Sequence, residues 1–442
     1  MRAPGGRSSG ERELSAASSR LARLGHRLSS SELFRQVAHT LTTRVVLLPL
    51  GLVTSVVVTR ALGPEGRGEF AVATTLAALA VQLANLGLPS SNTFVVARQP
   101  ERLGAVAANA LVSSAALGGL SGVVLWAVAA AFPRLAPASG GLLALSLLWV
   151  PLGLAYLLVQ NLLIAVQQVR VGNRADVVQR LIAIALIALV VAAGRATAAT
   201  AFAANLLALG VSLAFLCAEL AKRLGGAALR PDRALFAEHL GYGLRSYFTS
   251  LCAYAMLRID LLMVQYLRGA EQVGYYSVAV GMADLLYMIP STVGTLLFPR
   301  LSAMRTRHEQ WRSTSRMTLL MLATLTPLAL AASLLAPWIT RVLFGPRFLP
   351  AVPAFVWLMP GIVAYGSTFA SLFLLSVGLP AMVLVLWAGF VLLNVALNLV
   401  LIPRYGFVGA SISSSITYTA CFAVLTLYAR RLVSATPAGR RP

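Results

Sequence analysis

Residues 257–279, LRIDLLMVQYLRGAEQVGYYSVA, decide how the rest of the chain is read. The stretch opens inside an apolar run yet carries Arg258 and Asp260. It closes in a Gly-Tyr-Tyr turn that leads into a second apolar run. Charges at membrane depth are costly, so they face a bundle interior or a water-filled cavity and mark function. The turn has a twin earlier in the chain. Residues 61–73, ALGPEGRGEFAVA, overlay residues 267–279 at a constant offset of 206, which sets Gly63, Glu65, Gly68, Val72 and Ala73 on Gly269, Glu271, Gly274, Val278 and Ala279. Two related halves meet around this segment.

Working outward, the chain has 442 residues, of which 58% are hydrophobic and 11% charged, against roughly 25% charged in soluble domains. Apolar runs long enough for a membrane helix, ~20 residues, recur along almost the whole length. No alternating strands of a β-barrel are visible. The fold class is therefore an all-α polytopic membrane protein. The net charge is +22, and Arg supplies 35 of the 36 basic residues, Lys222 the other. These charges sit in short loops between apolar spans, where they set orientation and meet anionic lipid headgroups. Nucleic-acid binding needs a continuous exposed basic face and is not expected. Cys217, Cys252 and Cys421 are scattered in apolar segments, and the four histidines are isolated, so neither a disulfide framework nor a metal site is indicated.

Residues 1–31, rich in Arg, Ser and Gly, read as a disordered cytosolic tail. Span 1 runs over about 33–59, with Arg44 one turn inside its apolar part. Span 2, about 68–97, is interrupted by NLGLPSSN at 85–92, where Pro89 removes a helix hydrogen bond and Asn85 is placed to repair the backbone or to donate to a ligand. Spans 3 to 6 lie near 103–132, 140–168, 177–194 and 198–221. The polar segment 223–236 is a linker, and spans 7 to 12 follow near 246–267, 273–299, 317–344, 350–377, 381–402 and 408–429. The expected organisation is an N-terminal six-helix lobe over 32–222 and a C-terminal one over 237–430, with a second tail at 431–442. The lobes form a parallel pseudo-repeat around a central cavity. With the N-terminus inside, cytosolic segments hold 25 Lys and Arg, external loops 8, and spans the remaining 3, which predicts both termini in the cytosol. Each half also carries a proline in its second span, Pro89 and Pro290, and discontinuous helices at matching places point to a site near the midplane.

At ~1.5 Å per residue, Arg258 lies about 15 Å below the external Arg268, and Asp284 about 18 Å below Gln272. Spans 7 and 8 are consecutive and antiparallel, so Arg258 and Asp284 are expected to meet. Asp260, two residues from Arg258, points elsewhere and needs another partner, a coupling cation or a proton. The functional reading is a hydrated cavity whose arginine binds an anion while carboxylates balance charge; the alternative is a structural ion pair joining the two spans. Arg44, near the cytosolic face, can snorkel or bind ligand. Arg180 and Glu219 lie near the cytosolic ends of their spans and are expected to be structural. Asn394 and Asn398 are expected to bond between helices. Tyr275, Tyr276 and Trp338 read as interfacial anchors. The sole lysine follows Ala221, which excludes a Walker-type ATP site, and neither G-x-S-x-G nor H-E-x-x-H occurs. No cofactor is expected, and a gradient-driven transporter fits better than an enzyme.

Five segments carry a family resemblance: VVVTRALGPEGRGEFAVA (56–73), LRIDLLMVQYL with GYYSVA (257–279), LFPRLSAM (297–304), LFGPRF (343–348) and IPRYGFVGASI (402–412). In order and spacing they resemble the Wzx-type polysaccharide flippases. These belong to the multidrug/oligosaccharidyl-lipid/polysaccharide exporter superfamily, with the lipid II flippases and MATE antiporters. The resemblance spans about 32–430. It implies transfer of a polyprenyl-diphosphate-linked oligosaccharide from the cytosolic to the outer leaflet of the plasma (inner) membrane by alternating access. It also implies two six-helix lobes around a cationic cavity, H+ or Na+ as coupling ion, and a polysaccharide polymerase and glycosyltransferases as working partners. By position, Arg258 matches the family's R-x-D and Arg44 resembles a helix-1 arginine of related flippases; the match of Asp284 is looser. Substrate contacts are thus expected at Arg258, Arg44 and Asn85, with Asp260 and Asp284 for charge balance or ion coupling. Competing readings are a MATE-like antiporter of amphipathic cations and a membrane glycosyltransferase or polymerase.

Overall fold

The computed structural model describes residues 9–137, 139–226, 229–304, 306–378 and 381–435, without side chains over 9–42, 44–45 and 237–246. Arg44 therefore lies outside the described side chains. The described chain is all-helical. Its long helices are α1 (Ser9–Ala84), α2 (Leu88–Arg98), α3 (Leu103–Ala131), α4 (Gly140–Ala165), α5 (Val169–Ala192) and α6 (Ala198–Leu224). After the linker come α7 (Arg233–Arg268), α8 (Ala270–Ala303), α9 (Arg307–Leu343), α10 (Ala351–Gly366), α11 (Ala370–Ser376), α12 (Ala381–Tyr405) and α13 (Phe407–Ser434).

Among the described residues, 11 helices are long and apolar enough to cross a membrane. The expected twelve are reached because the first, Val46–Ala84, is two arms, 46–62 and 64–84, broken at Gly63. Gly63 has φ 68° and ψ −176°, and Gly269, its repeat partner, φ 86° and ψ 176°. Both lie in a region that side chains with a Cβ scarcely enter, so only glycine turns the chain here without strain. Leu334 and Leu392 are 75% and 69% exposed on the outside of the bundle, as a lipid-facing surface requires.

The repeat is also the seam between the lobes. α1 packs more extensively on α8 than on any other helix. A Cβ at Gly68 would overlap the Ala270 carbonyl, and one at Gly274 would overlap the Pro64 carbonyl. Ala270 stands at the repeat position of Pro64, so each half presents a glycine to the other's turn. That reciprocity is the mark of an isologous contact about a two-fold axis. Arg60 fastens the same end by donating to the carbonyls of Val342 and Leu343, which cap the C-terminus of α9. The bundle is therefore shut at the end carrying Gly63 and Gly269.

Four expectations are corrected. Helix covers 9–31, where a disordered tail over 1–31 was expected, and residues 1–8 of that segment lie outside the described residues. The linker is shorter than 223–236: α6 runs to Leu224 and α7 starts at Arg233, where the Asp232 side chain accepts from the Leu235 N–H as N-cap. Pro290 does not break α8; Gly366 packs against its ring, so the kink-prone site is braced from α10. The discontinuity of the C-terminal half falls instead in the tenth span, at 367–369 between α10 and α11. In the N-terminal half the break is at 85–87, and Pro89 sits in the first turn of α2, where a missing N–H costs nothing.

Candidate functional site

Between the lobes, α1, α7 and α8 enclose a cavity of about 310 Å³. Arg67, Phe70 and Thr74 line it from α1, Tyr254 and Arg258 from α7, and Ser277 and Asp284 from α8. Arg258 donates through Nη2 to Asp284 Oδ2 at 2.9 Å. The expected meeting of spans 7 and 8 is thus present, and both side chains keep partial exposure toward the cavity, 28% and 42%.

Arg67 was assigned to an external loop on sequence grounds. In the structure the helix resumes at once after Gly63, with Pro64 in its first turn, and carries Arg67 inward to the cavity. Its guanidinium lies 5.7 Å from the Phe70 ring centre. Among the described residues it joins no ion pair, and its buried Nε meets no hydrogen-bond partner. The cavity therefore holds two guanidiniums and one carboxylate. The offset of 206 sets Arg67 on Val273, whose burial in the seam only the structure reveals.

Asp260 does turn away from Arg258. It is buried among α7, α8 and α13, where Oδ2 accepts from Tyr276 Oη and from Ser414 Oγ at 3.0 Å, and Oδ1 from the Leu261 N–H at 2.8 Å. Tyr276 is accordingly a core residue and not an interfacial anchor, whereas Trp338 is exposed. Asn85 is buried and does not line this cavity: its Oδ1 accepts from the Gly87 N–H and its Nδ2 donates to Gln82, so it holds the helix break together. Asn398 donates to Asn394 along α12, and the contact to the neighbouring helix is Ser413 Oγ to the Asn394 carbonyl, not an amide pair between helices. Glu219 pairs with Lys222 on the surface.

Two six-helix lobes joined at a pseudo-two-fold seam, with ionised groups facing a cavity between them, define a multi-pass helical membrane protein of the MATE and lipid II flippase architecture. The chain resembles an inward-facing MATE family transporter of the MOP superfamily, with a TM-score of 0.74 and 16% identity over 87% of this chain and 94% of that one. It also resembles the lipid II flippase MurJ in an inward closed conformation, with a TM-score of 0.70 and 14% identity over 91% and 88%. Residues 33–305, more than half of the chain, match the model of the polysaccharide biosynthesis protein family, and the chain belongs to that family. A putative O-antigen transporter of Shigella flexneri is 24% identical over 38% of this chain and 41% of its own length. The chain spans about two fifths of the length of the curated relatives it matches.

Proposed function

We propose that the protein is a flippase that carries a polyprenyl-diphosphate-linked oligosaccharide across the plasma membrane for cell-surface polysaccharide synthesis. The observation that carries this reading is the sign of the cavity: among the described residues, Arg67 and Arg258 line it against Asp284. A diphosphate in bare hydrocarbon costs tens of kcal/mol, and permanently charged guanidinium donors in a wet cavity remove most of that barrier. Arg67, which joins no ion pair among the described residues, is the first contact. Arg258 is the second, released by Asp284 as phosphate oxygens take over its donors. We read the closed Gly63–Gly269 end as one state of an alternating-access cycle in which the end that carries the termini opens in turn. We assign that end to the cytosol on the distribution of Lys and Arg. Asp260, sealed from the cavity, is the group we assign to proton or Na+ coupling. A polysaccharide polymerase and glycosyltransferases are the partners this role requires.

The test is complementation of a strain lacking the corresponding flippase. Arg258→Ala and Arg67→Ala should each abolish surface polysaccharide while membrane insertion stays normal. Full surface polymer in both variants would remove the site. A MATE-like antiporter of amphipathic cations, the competing reading, calls for an acidic cavity, and the cavity here carries excess positive charge.

A further inference from the structure

The faces of α7 and α8 that line the cavity run on beyond the ion pair. The face of α8 that presents Ser277, Val280 and Asp284 to it continues in steps of three and four residues through Tyr287, Ser291, Gly294 and Phe298. Those four line a second, larger space of about 640 Å³ inside the C-terminal lobe. On α7 the same continuity runs from Arg258 through Tyr254 to Ser250. The chamber is closed behind by α11, which exists as a separate short helix because the tenth span breaks at 367–369, and by Val383 and Trp387 of α12.

The wall chemistry changes at the ion pair. Among the described residues, no charged residue, amide or histidine lines the chamber. Four of its hydroxyls are turned back on their own helices. Ser291 donates to the Met288 carbonyl at 2.9 Å, Thr295 to Thr292 at 2.7 Å, Thr368 to Ala364 at 2.9 Å and Ser371 to Thr368 at 2.8 Å. A sugar buried here would lack the forked donors and acceptors that its hydroxyls need, and a phosphate would be stripped of water without compensation. An apolar chain suffers neither loss. From Asp284 to Phe298 the α8 face extends about 21 Å by the helical rise.

We infer that the C-terminal chamber holds the first isoprene units of the lipid carrier while its diphosphate occupies the Arg67–Arg258 cavity. This rests on the function proposed above. The chain attached to a phosphate at the ion pair has a continuous apolar path along α7 and α8, and the glycine-turn end above it is shut.

The inference is tested with a photoreactive C55 polyprenyl diphosphate carrying a diazirine on an isoprene unit near the phosphate. It is added to the full-length protein in lipid nanodiscs and its adducts are mapped by mass spectrometry. Adducts are expected on chamber residues of α8 and α11, such as Ser291 and Leu372, and to be competed by unlabelled C55 polyprenyl diphosphate. Gly294→Leu should abolish them: a Cβ at 294 lies 3.4 Å from Leu372 and 3.8 Å from Phe369, ordinary contact, so the longer side chain grows into the chamber without disturbing the helix. A thermal melt of that variant matching wild type excludes misfolding; if it melts early, Leu372→Trp, which fills the space from the opposite wall, replaces it. Adducts confined to lipid-facing positions such as Leu334 or Leu392, or unchanged by the filling substitutions, overturn the chamber assignment. Chamber labelling by a glycan-tethered probe overturns it as well. Inorganic diphosphate separates the two claims. If it does not bind the wild-type protein, the headgroup site fails; if it binds and the chain labels only lipid-facing residues, the chamber alone fails.

Discussion

Gly68 and Gly274 make the sharpest prediction, because the structure specifies both the contact and its symmetry. In Gly68→Ala the new methyl overlaps the Ala270 carbonyl oxygen and lies 2.6 Å from its carbon, where ordinary contact begins at 3.4 Å. Relieving the oxygen contact, 1.7 Å against 3.4 Å, requires the backbones to part by roughly 1.7 Å, and forcing a methyl into a packed site typically costs about 1–3 kcal/mol. The two lobes can relieve this as rigid bodies by separating at the Gly63–Gly269 end. The cost then appears as a shift of roughly 5–150-fold toward conformers open at that end, and less as lost folding stability. Gly274→Ala, which meets Pro64 in the same way, should give the same shift. The double variant should give less than the sum, since both methyls open one gap. Spin labels at positions 65 and 271, both exposed on the paired turns, read the separation as a distance distribution by pulsed electron resonance. A longer-distance population is expected in each single variant. Distributions identical to wild type in both would refute the closed-gate reasoning and the two-fold seam with it.

The remaining predictions concern the charged and packed residues. Exchanging the pair, Arg258→Asp with Asp284→Arg, should recover the melting temperature lost by either single change but not transport, because the guanidinium is displaced from its binding position; recovered transport would make the pair purely structural. Asp260→Asn should retain diphosphate binding and lose the dependence of transport on an imposed proton or Na+ gradient, measured in proteoliposomes; unchanged gradient dependence would move coupling elsewhere. Gly361→Ala places a Cβ 2.5 Å from the Ser415 Cα and crowds the hydroxyl that accepts from the Gly361 N–H at 3.1 Å. It should lower the stability of the C-terminal lobe by about 1–3 kcal/mol in a denaturation assay while leaving the inter-lobe distance unaltered.

Local chemistry made much of this protein legible from its residues. Spans announce themselves by length and hydropathy, and the repeat at an offset of 206 marked the two glycine turns that become the seam. The Arg258–Asp284 pair was predictable because helical rise and an antiparallel turn convert sequence position directly into depth. The opposite faces of Arg258 and Asp260 follow from helical periodicity alone. Tertiary structure decided the rest. Arg67 sits in a Gly-Pro-Glu-Gly setting that reads as loop, and only the packing of one turn against its twin carries it into the cavity. Tyr276 resembles an interfacial aromatic until α13 brings Ser414 beside the same carboxylate. The break at 367–369 holds no proline, and the helix with a proline at 290 stays whole. Whether backbone groups freed in a membrane helix are tolerated depends on which neighbour braces them, and that neighbour is set by the fold.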